Sequence, residues 1–321
     1  MLSSVSFITL GAMENLIKII TKPDNVAIVV MMFMVAFFTW LVFREALRND
    51  RERKRLNGGS GEEAKSDSDK LPSTKRRGEE TVHTWPFLAR KEFIIAIMVF
   101  ALLLAWSIIL DAPLEEQANP TLTPNPAKAP WYFLGLQEML VYFDPWIAGV
   151  LLPGLIIFGL MAIPYLDINK KGSGYYTFSE RKFAIITFCF GFLILWILLI
   201  VIGVFMRGPG WLWFWPWQKW DHDKVVADVN VDFSQLIGIG SRTTLGFLIG
   251  VGIILIYFAA SIILPYLYLK AKQGEFLKTL GITRYILVSL LFWTMMALPI
   301  KIILRLAFHV KYIWVTHWFN V

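Results

Sequence analysis

Cysteine occurs once, as Cys189. A single thiol excludes an internal disulfide and any cysteine-ligated iron–sulfur cluster or zinc site. With no C-x-x-C-H run, covalently attached c-type haem is excluded too. Histidine occurs only at His83, His222, His309 and His317, none of them in the middle of an apolar run. Charge is scarce, with Asp, Glu, Lys and Arg at 17% of 321 residues. The net charge of +7 is no sign of a nucleic-acid partner, because the basic residues flank apolar runs as membrane-topology signals do. No internal repeat of useful length is visible.

What fills the chain instead is hydrophobic residue, 56% of the total, with a mean hydropathy of +0.57. Six segments, 25–43, 93–110, 145–166, 184–206, 244–267 and 285–300, run without an internal Asp, Glu, Lys or Arg. A bilayer core about 30 Å thick takes roughly 20 helical residues to cross. Backbone groups in lipid need internal partners, so these segments are predicted helices of an all-α integral membrane protein. The first is too long, and followed by too basic a stretch, to read as a removable signal peptide.

Basic residues set the orientation. Arg44, Arg48, Arg51, Arg53, Lys54 and Arg55 follow the first span; Lys170, Lys171, Arg181 and Lys182 follow the third. Lys270, Lys272, Lys278 and Arg284 follow the fifth. These loops alternate so as to share one face, cytoplasmic by the positive-inside rule, which puts both termini on the periplasmic side of a bacterial inner membrane. Residues 1–46 form a first helix, and 47–83, rich in Gly, Ser and mixed charge, a flexible cytoplasmic linker. Two further divisions follow, 84–267 and 268–321. In the last, Lys301, Arg305, His309 and Lys311 recur at helical spacing and predict an amphipathic interface helix. The run "RGPGWLWFWPWQKW" carries Trp211, Trp213, Trp215, Trp217 and Trp220, read as headgroup-depth anchors.

Residues 125–146, "NPAKAPWYFLGLQEMLVYFDPW", sit between two spans. Pro124, Pro126 and Pro130 keep the approach extended, and Pro130 can open a helix at its first position. From there about three turns fit before Asp144-Pro145 begins the next span, which is too short to cross and so predicts a helix lying along the periplasmic interface. Trp131 and Glu138 are seven residues apart, about 20° from alignment, and share a face with Leu134 between them. An aromatic surface beside an acid at this depth suits a quinol, whose oxidation releases protons towards water.

The run "PWYF" after a proline-rich lead resembles the quinol-oxidation motif Pro-Glu-Trp-Tyr of cytochrome b, in the C-terminal half found in bc1 complexes and as subunit IV in b6f complexes. "GLMAIPYLD" followed by "ERKFA" looks like the same family's next helix end and loop, so the resemblance covers roughly 86–267. It implies quinol contacts from Pro130, Trp131, Tyr132, Phe133 and Leu134, electron transfer to a low-potential b haem and to a Rieske protein or periplasmic c-type cytochrome, and a dimeric complex.

This sequence departs from the family in four places. The motif's first two positions fall on Ala129 and Pro130, so the glutamate proposed to accept the quinol proton is missing. Glu138 is the candidate replacement, with Glu115, Glu116 or water as alternatives; the competing reading is that Glu138 caps or pairs within a protein interface. No span holds histidines for haem, so no metal or haem ligand is expected from this chain, and the resemblance to a split cytochrome b implies that haem b belongs to a separate b6-like dihaem subunit. The first helix with its linker, and the last span, have no subunit IV counterpart. The lost glutamate fits a variant quinol such as menaquinone. A non-redox scaffold is the other reading; a transporter is disfavoured by uniformly apolar spans.

Overall fold

The computed structural model describes residues 14–58, 83–109, 117, 119–121, 123–169 and 176–321. Glu115 and Glu116 lie outside them. The chain is an all-α membrane protein. Among the described residues six helices are long and apolar enough to cross a bilayer, each coinciding with one of the expected spans. The described chain divides into two compact units, one of 14–29, 124–169 and 183–321, the other built on 30–58, 83–109 and 176–182.

The first residues of the expected 47–83 linker are helical, and 59–82 lie outside the described residues. Helix α1, Pro23–Gly58, does not stop at residue 46 but continues through "ALRNDRERKRLNG". These are mostly good helix formers. Arg48 pairs with Glu45 one turn back at 3.1 Å. The turn at 176–181 then fastens this extension. Asp50 accepts from Ser179 N at 2.9 Å and Ser179 Oγ at 2.6 Å, Arg53 pairs with Glu180, and Asn49 Nδ2 donates to Tyr176 O. Helix α2, Ala89–Ile109, buries none of its residues within this chain, as suits a span whose sides meet lipid or another subunit.

In the larger unit a 3-10 turn, Trp131–Phe133, leads into α3, Leu134–Tyr142. The spans α4, Ile147–Leu166, and α5, Lys182–Met206, follow. Then come α6, Thr244–Lys272, the short α7, Gly274–Leu280, and α8, Ile282–Phe308. Hydrophobicity alone does not hold helices together in lipid, so close approach and interhelical hydrogen bonds matter more. Here Tyr257 donates to Trp293 O at 2.7 Å and Tyr285 to Ile262 O at 2.7 Å, joining α6 to α8. Arg284 donates to Tyr165 O at 2.8 Å, satisfying a carbonyl at the end of α4.

At the α3 end, Met139, Tyr142, Phe143, Ile147, Ala148, Leu152 and Leu199 form a buried cluster, with Leu298 and Ile302 of α8 against it. A Cβ at Gly203 of α5 would stand 3.4 Å from Leu134, so the missing side chain lets α3 lie close on α5. The expected amphipathic helix beyond the last span is corrected as well. Lys301 and Arg305 belong to the final turns of α8, which ends at Phe308. His309 takes a left-handed conformation (φ 57°), and both His309 N and Val310 N donate back to Leu304 O, the latter at 3.0 Å, closing off the helix end. Residues 310–321 then turn back without helix, Val310 bridging to Val231.

Candidate functional site

The short helix is positioned by its own lead. Pro130 is extended (ψ 146°) and caps the 3-10 turn, with Phe133 N donating to Pro130 O at 2.8 Å. Gln137 holds the extended lead before it from both sides, accepting from Ala129 N at 2.8 Å and donating to Ala127 O at 2.8 Å. Lys128 reaches to the end of α5, where its Nζ donates to Val204 O at 2.8 Å. The Lys128 amine also lies 5.4 Å over the Trp220 ring. Burial, with the Lys22 charge adding to it, lowers the Lys128 pKa to about 8.

These constraints leave aromatic rings on the surface. Tyr132 and Phe133 are 49% and 50% exposed, their centroids 4.6 Å apart, and Trp131 meets Tyr132 edge-on at 5.6 Å. Pro130 is exposed beside them. Leu134, also expected to face a quinol, instead points inward and packs on Gly203.

Glu138 is not part of that exposed surface. It is 0% exposed and accepts four hydrogen bonds. Arg207 Nη2 and Tyr142 Oη donate to Oε1 at 2.6 and 2.9 Å; Arg207 Nε and Trp211 Nε1 donate to Oε2 at 2.8 and 3.1 Å. A carboxylate has about four lone-pair positions, so this one is fully used. An isolated charge at this depth would be prohibitive, and the bidentate geometry is what makes the pair tolerable. Burial disfavours the Arg207 cation, but the hydrogen bonds and charge of Glu138 outweigh it and hold its pKa above the ordinary value. Burial and the adjacent Glu138 charge push the Tyr142 phenol up.

Arg207 also organises the aromatic loop. Its Nη1 donates to Trp211 O at 3.1 Å, and its guanidinium lies 5.5 Å from the Trp213 ring. Arg207 pairs with Trp213, and Phe214 N donates to Met206 O at 2.9 Å. The reversal needs Gly208, where a Cβ would fall 2.6 Å from the Phe214 ring, and Gly210, at φ 64°. Trp211 also has a positive φ of 57°, unusual for a bulky residue, and this conformation brings its indole to Glu138. Thus Trp211 is a partner of the buried acid rather than a membrane anchor, while Trp215 and Trp217 stack at 5.3 Å on the exposed part of the loop.

Arg207, Tyr142 and Trp211 did not stand out in the sequence. Two signals were available. Tyr142 lies one helical turn beyond Glu138, and Arg207 is a lone cation closing an apolar span immediately before Gly-Pro-Gly. Of the expected site residues, Pro130, Tyr132 and Phe133 lie at the surface with Trp131 against Tyr132, whereas Glu138 is buried.

Residues 117–207 match the protein family described as cytochrome b (C-terminal)/b6/petD. The match contains α3 and the platform and ends on Arg207, so both members of the buried ion pair fall inside it. This segment, rather than the whole chain, is what resembles the cytochrome b C-terminal family. The chain is similar to the menaquinol:cytochrome c reductase cytochrome c subunit of Geobacillus thermodenitrificans, 32% identical over 88 residues, covering 26% of this chain and 35% of that protein. The same-named subunit of Bacillus subtilis (strain 168) is 32% identical over 90 residues, covering 26% of this chain and 34% of that one. The chain thus spans about a third of the length of these relatives. No solved structure matches it significantly.

Proposed function

We propose that this chain is a subunit of a quinol-oxidising cytochrome bc-type complex and that the 130–133 platform forms part of its periplasmic quinol site. The carrying observation is the pairing of exposure with rigidity. Tyr132 and Phe133 are half exposed on a helix whose inner side is locked by Glu138 and Arg207. Aromatic rings fixed at the membrane surface present a flat apolar wall to a quinone ring without ordering cost at binding. The names of the two relatives favour menaquinol as the substrate.

The remaining parts of the complex belong to the same proposal. No span holds a histidine, so haem b resides in a b6-like dihaem partner, and quinol binds where the two subunits meet. A Rieske protein or c-type cytochrome takes the first electron, and protons leave to the periplasm. The chain sits in the bacterial inner membrane with both termini periplasmic, in a dimeric complex. Glu138 anchors Arg207 and the aromatic loop. Acceptance of a quinol proton by Glu138 requires one of its four hydrogen bonds to open first, so water or an acid outside the described residues is the more direct acceptor.

The test is the purified complex with Tyr132→Ala and Phe133→Ala, sites exposed enough to leave folding intact. The proposal expects haem b to co-purify with the chain and quinol-driven haem reduction to fall at least ~10-fold in the variants. Haem-free chain, or unchanged reduction in both variants, favours the non-redox scaffold reading instead.

A further inference from the structure

Residues 310–321 lie outside the family match, yet they reach the inner side of the site helix. Phe319 and Val321 pack on the cluster that contains Met139, Tyr142 and Phe143 of the α3 end. Between them Asn320 Nδ2 donates to Asp144 Oδ2 at 3.2 Å. The other oxygen of Asp144 accepts from Trp146 N at 3.1 Å, so one carboxylate joins this segment to the junction of α3 and α4.

The segment is itself held in shape. Val321 N donates to Trp314 O at 2.9 Å, and a Val321 oxygen accepts from Ile313 N at 2.6 Å, closing 313–321 into a loop. Lys311 N donates to Val231 O at 2.7 Å and Phe233 N to Tyr312 O at 2.8 Å. Lys301, only 3% exposed in α8, donates from Nζ to Lys311 O at 2.5 Å. A Cβ on Gly250 of α6 would stand 2.7 Å from Ile313 O and 2.8 Å from Trp314 Cα. The segment is thus wedged between α6, α8 and residues 231–233 on one side and α3 on the other.

We propose that residues 310–321 are a positioning element for the quinol site, with Phe319 as the positioning residue. It bears on the cluster that includes Tyr142, and Tyr142 donates to Glu138. Removing the ring loosens α3 and so lets Tyr132 and Phe133 drift. The kinetic part of this inference rests on the quinol-site reading; the packing part does not.

The experiment compares Phe319→Ala, Phe319→Leu and Asn320→Ala in the intact complex. It measures hydrogen exchange of amides 134–143 without quinol, then KM and kcat with a short-chain menaquinol. Phe319→Ala is expected to speed exchange of 134–143 about tenfold while the middle of α6 is unchanged. It is also expected to raise KM about fivefold with kcat moving less than about twofold. Phe319→Leu should restore both to within about twofold, and Asn320→Ala should give a smaller change in the same direction. Unchanged exchange in Phe319→Ala, or faster exchange with KM unmoved in an active complex, overturns the proposal. If Phe319→Ala fails to assemble, an Asn320→Ala complex with wild-type exchange and KM overturns it too. A wild-type complex that assembles but oxidises no quinol sinks the quinol-site reading itself, a result the exchange data distinguish from failure of the packing.

Discussion

Glu138 and Arg207, 69 residues apart, form a two-point ion pair in which Nη2 meets Oε1 at 2.6 Å and Nε meets Oε2 at 2.8 Å. Both residues are buried, 0% and 8% exposed. One sits in the short helix and the other at the end of α5, so the pair joins the platform's helix to the aromatic loop.

The first prediction concerns the coupling of this pair. Removing one member strands a buried charge and should cost about 3–5 kcal/mol, whereas removing both costs less than the sum. Thermal unfolding of Glu138→Gln, Arg207→Gln and the double variant measures it. The double variant should be more stable than Arg207→Gln alone. Strict additivity would show that the pair carries no net interaction.

Anchoring and proton acceptance separate in the pH profile. As an anchor, Glu138→Gln and Arg207→Gln impair quinol oxidation to a similar degree at every pH, because each frees the same loop. As a proton acceptor, Glu138→Gln abolishes turnover while Arg207→Gln only shifts the profile. The geometry predicts the first pattern, with parallel profiles from pH 5.5 to 8.5.

Trp211→Phe keeps an aromatic ring, a smaller one, and removes the donor to Oε2. A hydrogen bond to a charged group is worth about 1.5–3 kcal/mol, while relief of the positive φ is not expected, since phenylalanine keeps its Cβ. The variant should melt lower than wild type, and its quinol KM should rise. Trp217→Phe, on the exposed part of the loop, is the control and should change neither.

Lys128 supplies a pH prediction whose sign is fixed by the direction of its shift. Its folded pKa, about 8, lies below the ordinary lysine value of 10.5. The native state therefore releases a proton that the unfolded chain still holds between those two values, so this group adds stability as pH rises from about 8 towards 10.5. Wild type compared with Lys128→Met should gain relative melting temperature between pH 7 and 10. A gap that is flat or closes with rising pH contradicts the burial of this amine.

The spans, the short helix between them and its aromatic face were legible because each rests on local pattern: long apolar runs, a proline-defined start, and three rings in sequence. Glu138 was legible as an unusual acid but not in its role, since its partner arrives from 69 residues away and no local rule pairs them. The α1 extension was obscured for a different reason. Its charged sequence reads as solvated linker until Asp50 and Arg53 are seen to engage Ser179 and Glu180. At the other end, charges spaced like a helix face continued past Phe308, where the left-handed His309 ends the helix and the backbone finds partners at Val231 instead.

The most direct test is photolabelling of the intact complex with an azido-menaquinone, with and without excess menaquinol, followed by peptide mapping. The account predicts competable label on the peptide containing Pro130–Phe133, undiminished by Lys128→Met and lost in the Tyr132→Ala, Phe133→Ala double variant. Competable label confined to other spans, with none on 130–133, would contradict it.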